Sequence, residues 1–264
     1  MPEALLEPNP QSFPSLLGRP PIARCHICTV RRVSVCDAIP ENHLPDLALS
    51  STEIVARPGT IFVEEGQQAD AFFNISRGNA RIYKLLPDGR RQIVGFAGPG
   101  QFLGFADGED FAFSAEAIDI VTYCRFSRSR LQALRSRFPA MEKIVLKIAT
   151  AELIAAQQQM VLLGRKTARE RLASFLAARL SPAGGARHPG ESLILPMSRT
   201  DIADYLGLSA ETICRTFAKL AREELIEIAG ISRIVVRDRF ALEILAGQTV
   251  PVTESPRRSV SVHG

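Results

Sequence analysis

Two groups of residues in this chain have the types and spacing to do chemistry. The first is a set of four thiols. Cys25 and Cys28 form a C-x2-C pair, Cys36 follows after seven intervening residues, and Cys124 lies 88 positions further along. In a reducing compartment, clustered thiols point to metal or redox chemistry rather than to disulfides. Four thiolates suit an iron–sulfur cluster or a zinc ion, although zinc usually shows two close pairs and the second is absent. Ordinary buried thiols are the third reading. His26 is wedged between two closer donors and reads as a bystander.

The second group lies in residues 196–222, PMSRTDIADYLGLSAETICRTFAKLAR. Ser198 and Asp201 form an acidic capping box that starts a helix, with Ile202, Ala203 and Leu206 as its apolar face. Gly207 can adopt the left-handed conformation that ends a helix and turns the chain. Ser209 then caps a second helix whose buried face is Ile213, Phe217 and Leu220. Two short helices joined by such a turn form a helix-turn-helix unit, whose second helix fits the major groove of DNA. The outer face of that helix carries Glu211, Cys214 and Arg215, with Ser209 and Arg199 beside it. Arginine can donate twice to guanine and glutamate can accept from cytosine, so the pair suits a G·C base pair. The plainer reading is a solvated i,i+4 ion pair worth about 0.3–0.5 kcal/mol.

The elements that must position these groups follow from composition and period. At about 150 residues per domain, 264 residues suggest two domains. No apolar run reaches the length of a bilayer span: the best, 144–163, is broken by Lys147, Glu152 and three glutamines. The N-terminus has no basic region leading into an apolar one, so the cytoplasm is the expected compartment. The net charge of +4 is unevenly placed. Residues 1–164 hold 17 basic and 17 acidic side chains, and residues 165–264 hold 15 and 11. An anionic partner for the C-terminal part is one reading and an ordinary basic surface is the other.

From about 53 to 127 the sequence runs in short β-type segments: 60–63, 71–75, 80–86, 92–96 and 120–126. They are punctuated by glycine turns, which predicts a β-barrel or jelly roll. After Pro139 the period becomes helical. Ile144, Ile148, Ala151, Ala155 and Leu162 recur at mostly three- and four-residue steps, giving a long helix that packs on its own barrel or on its twin in a homodimer; the dimer is favoured. A second helix from about Ala168 to Leu180 ends in Ser-Pro-Ala-Gly-Gly, a loop. Residues 225–236 read as a β-hairpin, which makes the last module a winged helix. The expected fold is α+β. It comprises a flexible arm (1–24), a cysteine-bearing loop and β-barrel (25–138), a dimerisation helix (139–164), a winged helix-turn-helix (165–247) and a tail (248–264).

Taken together, the barrel, long helix, winged helix and cysteine pattern resemble the Crp/Fnr family of bacterial transcription regulators from about residue 25 to residue 247. The cysteine spacing is most similar to the oxygen-sensing FNR/FnrL/FixK branch. The resemblance implies that Cys25, Cys28, Cys36 and Cys124 hold a 4Fe–4S cluster which oxygen degrades. It implies too that the cluster-bound form is a homodimer binding a palindromic operator near TTGAT-N4-ATCAA, with RNA polymerase as a further partner. Residues 159–163 and 169–173 look like the family's dimer helix and its successor. No enzymatic activity is implied, since no His or carboxylate stands near Cys25–Cys36 in an acid–base arrangement. A cluster-free regulator sensing through a partner, heme or a single thiol is the alternative.

Three departures from the family pattern matter. Its cyclic-nucleotide pocket uses a glutamate and an arginine, where this chain has Gln101 and Phe113. A buried phosphodiester would lose its cation, so cyclic-nucleotide binding is not expected. The recognition helix has Cys214 where FNR-type helices have serine, which opens either a tolerated exchange or a second redox sensitivity at the DNA. In the dimer helix, Gln157 replaces an aspartate that in some members keeps the cluster-free form monomeric. The neutral residue implies partial dimerisation without the cluster.

Overall fold

The computed structural model describes residues 21–104, 109–180 and 190–247. Residues 1–20 of the expected arm, the loop at 181–185 and the tail at 248–264 lie outside the described residues. Residues 21–24, expected in the arm, belong instead to helix α1 (Pro21–His26). Three short 3-10 turns follow (Arg31–Val33, Val35–Ala38, Glu41–His43), and then α2 (Leu44–Leu49). The cysteine-bearing segment is therefore a chain of helical turns and not a loop.

Eight strands come next: β1 (Ser51–Ala56), β2 (Ile61–Val63), β3 (Ala71–Arg77), β4 (Ala80–Leu85), β5 (Arg91–Ala97), β6 (Phe102–Leu103), β7 (Ser114–Ala117) and β8 (Val121–Ser127). They form two antiparallel sheets, ordered β1-β8-β3-β6 and β2-β7-β4-β5. The sheets are open and face one another, so the architecture is a jelly-roll sandwich and not a closed barrel. Its filling comes from alternate residues of both sheets, among them Phe73, Ile75, Val121 and Tyr123 on one side and Val63, Ala80, Ala115 and Ala117 on the other. Burying that face fixes the register, because a one-residue slip would turn every side chain over.

Helix α3 (Arg128–Arg137) leads into α4 (Ala140–Arg165), whose 26 residues span about 39 Å at 1.5 Å per residue. Residues 151–158 of α4 are all exposed. Its ends are not: Met141 is fully buried with Leu131, Leu134 and Phe138, and Leu162 enters a second core. That second core belongs to α5 (Ala168–Ala177), β9 (Glu191–Ile194), α6 (Arg199–Leu206), α7 (Ala210–Arg222), β10 (Ile226–Ile228), β11 (Arg233–Val236) and α8 (Arg239–Leu245). The wing is a three-stranded sheet, β10-β11-β9. Capping boxes start α5 (Thr167 with Glu170) and α6 (Ser198 with Asp201), each satisfying two otherwise unpaired N–H groups.

Two features hold the helix-turn-helix to the end of α4. Gly207 adopts φ 62° and ψ 43°, the left-handed turn that ends α6. The Arg171 guanidinium donates to Leu206 O at 2.8 Å and Leu163 O at 2.8 Å, and its Nε donates to Lys166 O at 2.9 Å. One cation thus satisfies the free carbonyls at the C-terminal ends of two helices, where helix dipoles favour positive charge. A Cβ at position 207 would meet Leu163 Cδ2 at 3.2 Å and Arg171 Nη1 at 3.4 Å, besides the strain of a positive φ. Gly207→Ala is expected to destabilise the domain by about 1–2 kcal/mol in chemical denaturation. An unchanged midpoint would mean that the turn does not need the left-handed conformation.

Candidate cysteine centre and nucleic-acid interface

Strand β8 places Cys124 by simple alternation. Val121 and Tyr123 point into the sandwich, and Thr122, Cys124 and Phe126 point out of it. Across the sheet, Glu53 of β1 and Asn74 of β3 are the direct partners of Cys124, and Phe102 of β6 pairs with Asn74. Glu53, Cys124, Asn74 and Phe102 therefore form one row on the outer face. The N-terminal turns lie over that face. Cys25 and Cys36 are buried in the same cluster as Phe102, Phe126, Leu44 and Leu47, and Cys124 packs against it.

All five cysteines are free thiols. Burial is the main influence on three of them. It raises the Cys25 thiol above its ordinary value of 9.0, and pushes Cys36 and Cys124 up to about 12. The thiols also raise one another: Cys36 feels Cys124, Cys25 and Cys28, and Cys124 feels Cys25 and Cys28. Arg24 opposes this at Cys25 and Cys124. Its Nη2 donates to Ala48 O at 2.6 Å, to Ser51 O and to Ser51 Oγ at 3.3 Å, which pins α1 to the start of β1. At Cys36 the Ser34 hydroxyl pulls the other way, and it also accepts from the Cys36 backbone N–H at 3.3 Å.

Cys25, Cys36 and Cys124 thus share one buried compartment, and Cys28, half-buried in the link after α1, interacts with all three through charge. Among the described residues, no three Cys, His, Asp or Glu side chains are already arranged to hold one metal ion. The donor set nonetheless suits a thiolate-bound cluster. A cationic group would reverse the cost of deprotonating these thiols, and Arg24 already supplies positive charge there. Asn74 is buried with its Oδ1 unpaired, directly across the ladder from Cys124. Rotation of its amide would present N–H donors to a sulfur at that position. Sequence reasoning did not single out Arg24, Asn74 or Glu53, because only the strand register brings them to the thiols.

The cysteine compartment also touches the long helix: Val145 and Ile148 of α4 pack against it. Of the residues expected at the dimer seam, Ile148 therefore faces the cysteine-bearing core of its own chain and Leu162 its own DNA-domain core. Ile144 is half-buried, and Ala151, Ala155 and Gln157 are exposed. The exposed apolar stripe runs on another side of α4, through Leu146, Leu153 and Met160, with Ile154 and Val161 beside it. Leu146, Ala149, Leu153, Ala156, Met160 and Leu163 follow alternating steps of three and four, the spacing of a coiled-coil seam. The expected stripe lost its two ends because those positions bury themselves within their own protomer.

In the second site, Ser209 caps α7 by accepting from the Thr212 N–H at 3.1 Å. Ile213, Phe217 and Leu220 are buried, while Glu211, Cys214 and Arg215 face solvent. Arg215 and Glu211 form an i,i+4 pair at 3.3 Å, with side chains 71% and 76% exposed. Arg199 is placed differently. Its guanidinium stacks on the Phe217 ring 3.6 Å from the centroid, beside Cys214, and burial lowers its pKa. At the cyclic-nucleotide positions, Gln101 Oε1 accepts from Gly98 N–H at 2.6 Å and Phe113 packs against the sandwich core.

Comparisons with known proteins agree with this fold. Residues 53–138 match the cyclic nucleotide-binding domain model, and residues 170–245 match the Crp-like helix-turn-helix domain model. The chain belongs to the Crp/Fnr family of DNA-binding transcription regulators. Within it the relatives are those of the FNR/FixK branch. The chain is 42% identical over 207 residues to the transcriptional activatory protein AadR of Rhodopseudomonas palustris, covering 78% of this chain and 86% of that one. It is 40% identical over 224 residues to the nitrogen fixation regulation protein FixK of Bradyrhizobium diazoefficiens, covering 84% and 93%. The solved structure of FixK2 from Bradyrhizobium japonicum superposes with a TM-score of 0.67 at 36% identity, covering 74% of this chain and 96% of that one. The expected regulator fold is that of the relatives, and those relatives are regulators, not enzymes.

The thiol environments set an order of reactivity. In cluster-free protein near neutral pH, iodoacetamide is expected to modify Cys214 first and Cys36 and Cys124 last, read by peptide mass spectrometry. Their folded pKa values near 12 lie above the ordinary 9.0, so the stability they confer is intact below about pH 9 and falls as pH rises towards 12. Rapid labelling of Cys36 at neutral pH would show that the compartment is open.

Proposed function

We propose that this regulator senses oxygen through a 4Fe–4S cluster held by Cys25, Cys28, Cys36 and Cys124. We propose further that the cluster-bound chain works as a cytoplasmic homodimer activating transcription from a palindromic operator near TTGAT-N4-ATCAA, with RNA polymerase as partner. The observation that supports the reading is the packing of Cys25, Cys36 and Cys124 in one compartment that also packs against α4, with Cys28 close enough to raise their pKa values. When bound, a cluster supplies oxygen-labile iron–thiolate bonds and the cationic charge that these thiols lack. The protein's part is to bring Cys25 on α1, Cys28 in the link that follows and Cys36 on a 3-10 turn towards the fourth donor on β8. Arg24 fixes α1 to β1, and the packing of Val145 and Ile148 links the compartment to the dimer helix.

The exposed Leu146, Leu153 and Met160 stripe supports a second copy as the occupant of α4, since an isolated helix with this much exposed apolar surface would otherwise remain wet. Gln157 lies on that stripe between Leu153 and Met160 and adds no charge repulsion there. At the DNA, Arg215 reads guanine, Glu211 accepts from cytosine, and Arg199 and Ser209 meet the backbone. The match to a cyclic nucleotide-binding domain is read as shared fold, because the two pocket positions are Gln101 and Phe113.

The exposure of Cys214 on the reading helix favours one second reading, a cluster-free regulator controlled by thiol oxidation. Iron and acid-labile sulfide content separates the two. Protein purified without oxygen is expected to hold about four of each per chain, with a visible band that bleaches in air and is lost in Cys124→Ser. Iron-free protein that binds DNA would leave Cys214 or an unidentified ligand as the sensing group. Arg215→Ala is expected to cost about 1–3 kcal/mol of discrimination at one base position per half-site, measured by binding to base-substituted duplexes. Sedimentation of the cluster-free chain is expected to show some dimer, and a pure monomer would remove the role given to Gln157.

A further inference from the structure

The sensory sandwich and the helix-turn-helix of one protomer are bolted together by charge. The carboxylate of Asp201 is almost fully buried, and its two oxygens have separate tasks. Oδ2 accepts from Ser198 N–H at 3.0 Å and Ser198 Oγ at 2.7 Å, completing the cap of α6. Oδ1 accepts from two arginines of the other domain, Arg81 Nη1 at 3.2 Å and Arg91 Nη2 at 2.9 Å. One turn along α6, Asp204 Oδ2 accepts from Arg91 Nε at 3.2 Å and Nη2 at 2.9 Å, and Gln92 Nε2 donates to the Asp204 carbonyl at 2.6 Å. Arg81 is held in turn by Glu116, its direct cross-strand partner.

Beside this network the contact is aromatic. Phe96 of β5 stands edge-on to Phe175 of α5 at 6.3 Å and packs against Tyr205 of α6 at 5.4 Å. Arg179 lies over both Phe175 and Phe96, at 3.6 and 5.4 Å from the ring centroids. From α4, Gln159 Nε2 donates to Tyr205 O at 2.8 Å. Helix α6 is thereby fixed to β4, β5 and α4 at once, while Glu211, Cys214 and Arg215 on α7 stay exposed. This docking leaves both the reading face and the apolar stripe of α4 open, so it does not block either partner.

We propose that Arg91 and Asp204, supported by Arg81 and Asp201, are positioning residues for DNA binding. They touch no DNA. They set the angle at which α7 is carried relative to the dimer helix, and two rigidly aimed recognition helices are what a palindrome requires. The inference rests on reading the chain as a dimeric DNA-binding regulator. Arg91 and Asp204 are the informative pair because Asp204 takes no part in the α6 cap, Arg91 meets the capping carboxylate only at Oδ1, which does not bind Ser198, and neither lies on the reading face.

The test is a double-mutant cycle in the full chain with Arg91→Gln, Asp204→Asn and the double variant. Affinity is measured for the duplex that the wild type enriches from a randomised pool and for an unrelated duplex of equal length. Each single change is expected to weaken binding to the enriched duplex by about 2- to 30-fold, with the double variant no weaker than the worse single. Binding to the unrelated duplex, which needs no aim, stays the same. Unchanged or tighter binding to the enriched duplex, additive losses, or an equal loss on both duplexes would overturn the proposal. Failure of the wild type to enrich any sequence would strike the DNA-binding reading itself.

Discussion

The two-residue period of one strand governs the cysteine-bearing half of this protein. Strand β8 runs through the middle of its sheet, so its neighbours on both sides are fixed by hydrogen bonds. Tyr123 must fill the sandwich, and Cys124 must then face the other way. That turns an architectural residue and a chemical one into adjacent positions with opposite surroundings. The N-terminal turns can cover the outer face only because Phe72, Phe102 and Phe126 make it apolar, and covering it buries the thiols. The reactivity of the cysteines is therefore a by-product of how the sandwich is closed over.

The DNA-binding half depends on carbonyls and carboxylates at helix ends. Arg171 gathers the last carbonyls of α4 and α6, and Asp201 caps the start of α6 while binding arginines from the sandwich. Both ends of a single eight-residue helix are thus tied to elements outside its own helix pair. Buried charges of this kind add little net stability, since desolvation offsets their attraction. They are demanding about geometry, which suits an element whose orientation matters more than its strength.

Much of this was legible in the residues. The capping box at Ser198, the left-handed Gly207 and the Ser209 cap bracket the two helices where the structure has them, because those signals are local. The segments at 71–75 and 92–96 gave β3 and β5 through their apolar content. Strand β1 was missed although it has six residues, and strands β6, β7 and β9 escaped because they are two to four residues long and are strands only through their partners. Helix α4 was legible in length but not in phase. Its residues serve the cysteine-bearing core, the exposed stripe and the DNA-domain core in turn, and a single periodicity cannot separate three environments on one helix. The contacts of Asp201 with Arg81 and Arg91 span more than a hundred positions and leave no trace in sequence spacing.

The anchoring of α4 at Met141 in one core and Leu162 in another gives the helix a fixed count. Inserting one residue between them would rotate one end by about 100° relative to the other and lengthen the rod by about 1.5 Å. Both cores could not then keep their packing. Relatives can therefore exchange the sandwich or the DNA-binding module only at junctions that preserve the number of residues across this helix, whereas exposed positions off the Leu146, Leu153 and Met160 stripe are free to drift. Length, more than composition, is what descent must conserve there.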